Sequence, residues 1–168
     1  MLNQSLVERA EIRRFRQAVL DGQITPEALT QCSADQIAKI HEWKSSWSYI
    51  ARDNQLPPQE YFRWWMILAG RGFGKTRTAV EWLHDRADSG AMRDGGIMVR
   101  TNGDLFKTAI HGRSGLVTLS RPHNPCRFID GTKKVVLWEN GAKALCFTAE
   151  EPDGARGPEF DTLWFDEL

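Results

Sequence analysis

The sequence predicts an α/β domain with a mainly parallel sheet, preceded by a helical N-terminal region. Three observations predict it. From Tyr61 onward, short apolar runs alternate with helix-periodic segments and glycine turns. A glycine-rich loop joins the first of these runs to a helix-periodic segment. The last apolar run closes on two carboxylates, Asp166 and Glu167.

Residues 1–60 read as helical. Leu6, Ile12, Phe15, Val19 and Leu20 recur at near-helical spacing, and Asp21-Gly22 gives a stop. Thr25-Pro26 has the form of an N-cap followed by proline at the first helical position. Ser33-Ala34-Asp35-Gln36 has the form of a capping box, opening a helix that carries Ile37, Ile40, Trp43, Trp47 and Ile50. Leu56-Pro57-Pro58 closes the region, because proline disfavours helix in the residue before it. The domain boundary is set between 53 and 54.

In the second part, Trp64 to Ala69 is too short for a helix and predicts a buried parallel strand. Thr76 to Arg86 predicts a helix through Ala79, Val80 and Leu83. Gly96 to Arg100 predicts a second strand, and Asp104–Ile110 and Ser114–Leu119 predict two short helices. Lys134 to Trp138 and Ala142 to Thr148 flank Glu139-Asn140-Gly141, a strong hairpin signal. Thr162 to Phe165 is the last strand.

Composition excludes several classes. The 168 residues hold 22 Lys and Arg against 22 Asp and Glu, which argues against a polybasic nucleic-acid binder but not against a local basic patch. No apolar run is long enough to span a bilayer, and the N-terminus lacks the apolar core of a secretory signal. Cys32, Cys126 and Cys146, odd in number and far apart, fit reduced thiols in a cytosolic setting. His123 and Cys126 assemble no four-ligand zinc set. The tryptophans fall mostly within predicted strands and helices, where packing is the better reading than base stacking. Arg9, Arg13 and Arg16 align on one helix face, read as solvated and balanced by Glu8 and Glu11.

The chemistry lies in Ala69-Gly70-Arg71-Gly72-Phe73-Gly74-Lys75-Thr76. Glycines at such spacing let consecutive backbone N–H groups wrap a phosphate chain. Lys75 is expected to reach the β- and γ-phosphates of ATP, and the Thr76 hydroxyl to coordinate Mg²⁺. The helix that follows points its positive end at the anion. Ala69 stands where this motif, Walker A, usually begins with glycine. The second motif, Walker B, is Thr162-Leu163-Trp164-Phe165-Asp166-Glu167. Asp166 is expected to hold Mg²⁺ and Glu167 to orient and deprotonate the attacking water. Together the two motifs specify a P-loop NTPase of the ASCE type.

The ARDNQLPP, WWMILAGRGFGKTRTAVEWL, GRSGL, LWENGA and EEPDGARGPEFDTLWFDEL blocks, in order over residues 48–168, resemble the ATPase domain of large terminase subunits. These are the DNA-packaging motors of tailed bacteriophages and their prophages. The resemblance implies that Arg71 stabilises charge on the transferring phosphate, with phosphate binding or pairing to Glu81 or Asp85 as the alternative. It implies that Arg156 reaches a neighbouring subunit's site, or else orders its own loop. Gln55 matches the glutamine that reads adenine, through an amide that both donates and accepts. A polar residue at a linker start is the other reading.

The function so implied is an Mg²⁺-dependent ATPase that drives double-stranded DNA into a procapsid, tracking the phosphate backbone without reading sequence. The implied partners are the portal protein, the small terminase subunit and further copies in a homo-oligomeric ring, in the cytoplasm of the bacterial host, with no membrane. The alternatives are a catalytically silent ATP-binding fragment of a split or truncated terminase, and another P-loop motor such as a helicase. The GARGP block and the placement of Arg71 disfavour the helicase. The family continues past Walker B into further strands and a nuclease domain. The expectation is therefore a partial ATPase domain at 54–168, its sheet incomplete on the C-terminal side, with the nuclease domain absent.

Overall fold

A computed structural model describes residues 2–58, 60–151, 154 and 157–167, with side chains from Val7 onward. The chain divides into two units, Met1–Arg63 and Trp64–Leu168.

The first unit is helical, as its cap signals predict. α1 (Leu2–Leu20) is followed by α2 (Pro26–Leu29), α3 (Ala34–Ser45) and α4 (Trp47–Ile50). Thr25 caps α2, its hydroxyl accepting from the Ala28 N–H. Ser33 and Gln36 form the reciprocal capping box at the start of α3. Phe15 packs edge-on to Trp43 (5.6 Å) and against Tyr49 (6.2 Å), and the Arg16 guanidinium donates to the Ala51 carbonyl at 2.7 Å. These contacts join α1 to α3 and to the end of α4. Arg16 is therefore not a purely solvated charge.

The second unit is α/β. Its elements are α5 (Lys75–Asp88), β1 (Asp94–Val99), α6 (Asn102–Asp104) running on into a π turn over Leu105–Ile110, β2 (Cys126–Asp130), β3 (Lys134–Trp138), β4 (Lys143–Thr148) and β5 (Thr162–Asp166). The strands form one sheet in the order β2-β3-β4-β1-β5. β1 pairs parallel with β4 and with β5, whereas β2-β3 and β3-β4 are antiparallel. The sheet is thus mixed, where a mainly parallel one was expected, because the Asn140-Gly141 hairpin returns the chain antiparallel and β2 extends it by another antiparallel strand. Gly141, at φ +88°, takes the left-handed conformation this turn needs.

Register fixes the faces. Ile97 lies between Cys146 and Trp164, and Val99 between Thr148 and Asp166. These residues face α5, whose Val80, Leu83 and Ala87 are buried with Ile97, Val99, Ala144, Trp138 and Trp164 in one core. The opposite face carries Leu163 and Phe165, both exposed.

Two expectations fail. Trp64 to Ala69 is extended and keeps a strand's alternation, but it joins no strand of the sheet. Trp64, Met66 and Leu68 are 74%, 77% and 87% exposed. β1 already has both neighbours, and β5 is the edge, so the run finds no ladder position beside β1. Trp65 instead contacts Trp82 of α5 edge-on at 6.3 Å.

Ser114–Leu119 is a series of turns, not a helix. The N–H groups of Leu116 and Val117 cap the Ala109 and Ile110 carbonyls at the end of the π turn, at 2.9 and 3.0 Å. These bonds tie the segment back onto the end of the π turn. Gly115 permits the doubling back, since a β-carbon there would lie 2.4 Å from the Ile110 carbonyl oxygen.

Candidate functional site

The site gathers at the C-terminal ends of β1 and β5 and at the N-terminus of α5. Gly72 (φ +80°) and Gly74 (φ +90°) hold left-handed conformations that L side chains rarely adopt. Gly74 is the N-cap of α5, so Lys75 begins the helix and Thr76 lies in its first turn. Four N–H groups at such a helix start have no intrahelical acceptor, which makes the position suited to an anion. The Lys75 ammonium folds back over the loop, donating to the Ala69 carbonyl at 2.9 Å and the Gly70 carbonyl at 3.5 Å. Both of its acceptors are neutral backbone carbonyls of the loop.

Opposite the loop stands the tip of β5. Asp166 is partly buried in register with Val99 of β1. Burial raises the pKa of its carboxyl, and Glu167 beside it raises it further. Lys75 acts in the other direction, and Asp104 adds to the rise. Lys75, Glu167 and Asp104 thus all act on the Asp166 carboxyl. Glu167 is exposed and has φ +50°, the left-handed conformation in a residue other than glycine. Such geometry costs about 1–2 kcal/mol and is concentrated at functional sites. It turns the backbone out of the strand immediately after Asp166.

Asp104 is the member that sequence reasoning missed. Its N–H bonds to the Thr101 hydroxyl at 3.1 Å, and that hydroxyl donates to the Asp104 carboxylate at 2.7 Å. The signal was available. Thr101 and Asp104, three residues apart after a strand, have the spacing of a helix N-cap. Parallel pairing of β1 with β5 then brings this cap beside Asp166.

The remaining predicted residues fall as follows. Gly70, Arg71 and Phe73 lie in the loop, with Arg71 exposed. Pairing of Arg71 with Glu81 or Asp85 is not what occurs. Glu81 is bound by Arg77 and Arg121, and Asp85 by Arg121 at 2.8 Å. Gln55 belongs to the first unit. It is buried there, with its Oε1 accepting from the Arg52 N–H at 3.1 Å. Arg156 lies outside the described residues.

No curated protein and no solved structure matches the chain. A family description does match, over residues 66–168: terminase large subunit, T4likevirus-type, N-terminal. That stretch begins just before the glycine-rich loop, runs to the β5 carboxylates and covers more than half of the sequence. The chain belongs to the family of phage terminase large subunits, of the T4likevirus type, through their N-terminal region.

Proposed function

We propose that this chain is an Mg²⁺-dependent ATPase whose cycle drives double-stranded viral DNA into a procapsid. The convergence of the Lys75 loop with Asp166 and Glu167 at the tip of β5 carries the reading. One end of the site offers a cation and unsatisfied N–H groups for a polyphosphate, and the other offers carboxylates.

The donor set fits a hard divalent cation: a partly buried carboxylate at Asp166 and a hydroxyl at Thr76, both oxygen ligands. Mg²⁺ held there by Asp166 and Thr76 would supply charge neutralisation for a bound polyphosphate. The loop N–H groups and Lys75 bind the phosphates. Arg71, exposed and free of Glu81 and Asp85, can swing to the γ-phosphate and meet charge developing in the transition state. Glu167 accepts the proton of the attacking water, its carboxylate set off from the strand by the left-handed turn. Arg156 acts on the site of the next copy in a ring. Contacts to DNA go to the phosphate backbone, and the portal and small subunit complete the machine.

The experiment is calorimetric titration of Mg·ATP into the wild-type chain and into Lys75→Ala. Binding by the wild type and at least a hundredfold weaker binding by the variant are expected. Equal affinities remove the phosphate-loop assignment.

A further inference from the structure

On one face of α5 lies a polar network that the proposed chemistry does not use. It is built by the turn Arg121-Pro122-His123-Asn124. Proline at the second position favours the turn, and the Asn124 N–H closes it on the Arg121 carbonyl at 3.1 Å. The turn delivers three side chains to α5.

The Arg121 guanidinium reaches three carboxylates spaced along one helix face: Glu81 at 2.9 Å, Asp85 at 2.8 Å and Asp88 at 2.6 Å. Asn124 and His123 take the remaining positions on Asp88, at 2.7 and 3.1 Å. Burial works against the charge of Arg121, and the carboxylates outweigh it, holding the guanidinium above its ordinary range.

The network does not stop there. The buried Glu81 carboxylate is shared, since its other oxygen accepts from Arg77 through Nη2 at 2.6 Å and Nε at 2.8 Å. Arg77 directly follows Thr76 in the first turn of α5. A line of charge-assisted bonds therefore runs from Arg121, through Glu81 and Arg77, to the turn that presents Lys75 and Thr76.

We propose that Arg121 is a positioning residue for the phosphate loop. It touches no part of the nucleotide site. It fixes Glu81, Glu81 fixes Arg77, and the first turn of α5 is thereby set at the position where its N–H groups and the Thr76 hydroxyl meet the phosphates. It also neutralises carboxylates that otherwise oppose a polyanion. Of the charges on Arg77, Arg121, Glu81, Asp85 and Asp88, two are positive and three negative. Without Arg121 the network loses one positive charge, and the buried Glu81 loses one of the two arginines bonded to it.

This inference rests on the ATP-binding reading, and the test separates the two. Mg·ATP affinity is measured by calorimetry for the full chain as wild type, Arg121→Met, Arg121→Lys, Arg121→Met with Glu81→Gln, and Val80→Ala. The last removes buried core packing from the same helix and serves as a stability control. Arg121→Met is expected to weaken binding roughly tenfold, the size typical of coupling within a charged network. Arg121→Lys recovers part of the loss. The double variant recovers none of it, because Glu81→Gln breaks the same line at its next link. Val80→Ala lowers the melting temperature but changes affinity by less than about twofold at a temperature well below melting.

The proposal is overturned if Arg121→Met binds as the wild type does, if Val80→Ala loses as much affinity, or if adding Glu81→Gln to Arg121→Met restores wild-type affinity. Should Arg121→Met not fold, the lysine variant decides: full wild-type affinity overturns the proposal and a several-fold loss supports it. Failure of the wild type itself to bind Mg·ATP removes the ATP-binding reading, and the positioning role with it.

Discussion

Acid should destabilise the second unit through one imidazole. His84 lies fully buried on α5, accepting from the Trp138 indole N–H at Nδ1 (3.1 Å) and donating from Nε2 to the Leu116 carbonyl (3.2 Å). Both ring nitrogens are thus engaged in the neutral form. A second ring proton would have to displace the indole N–H. Burial, with the nearby Arg121 guanidinium, pushes the His84 pKa from 6.5 down to about 4.

A histidine with a depressed folded pKa contributes stability that is complete above the unfolded value of 6.5. The contribution is lost as pH falls toward the folded value, because the unfolded chain takes up the proton first. At about 1.4 kcal/mol per pH unit over that window, the loss is roughly 3 kcal/mol. A typical domain has only about 5–15 kcal/mol in all.

Urea denaturation of the wild type and of His84→Gln at pH 7.5, 6.5, 5.5 and 4.5 measures it. Glutamine can accept from Trp138 and donate to Leu116 but does not titrate. The wild type should lose roughly 3 kcal/mol relative to the variant across the window. Asp88, whose pKa lies below its ordinary 3.8, loses its contribution only at lower pH. Asp166 is shifted upward and acts in the opposite sense, but it is common to both chains and cancels in the comparison. Parallel stability profiles for the two proteins refute the reasoning.

Further outcomes follow from other parts of the chain. Ser33→Ala removes one half of the capping box of α3 and should cost the first unit about 1 kcal/mol in urea denaturation, with no cost if the cap is dispensable. Replacing Trp64, Met66 and Leu68 with Thr, Lys and Thr should reduce self-association in light scattering, since three large exposed apolar side chains in one short run invite association. Unchanged association would place the sticky surface elsewhere.

The helices of the first unit were legible because their termini are written in side chains. Thr25-Pro26 and Ser33 with Gln36 bond as their spacing predicts. The hairpin was legible for the same reason, Asn140-Gly141 being a local instruction. What the sequence did not disclose was pairing. Trp64 to Ala69 has the composition of a buried strand, but a ladder position depends on neighbours, and composition does not name them. β2 was missed because Cys126–Asp130 alternates Arg127 and Asp130 among apolar residues, too weak a pattern without its partner β3. Within the candidate site, the loop and the β5 carboxylates were legible as motifs. Asp104 was not, because its closeness to Asp166 comes from the parallel pairing of β1 with β5. The brace from Arg121 to α5 was hidden likewise, since its partners lie thirty-three to forty residues away along the chain.

The central claim is that the phosphate loop and the carboxylates at the tip of β5 act on one nucleotide. Its most direct measurement pairs Mg·ATP affinity with single-turnover hydrolysis for the wild type and Glu167→Gln. The account predicts that the variant binds within a few-fold of the wild type, while hydrolysis falls by at least a hundredfold. Equal hydrolysis by the two proteins would contradict it.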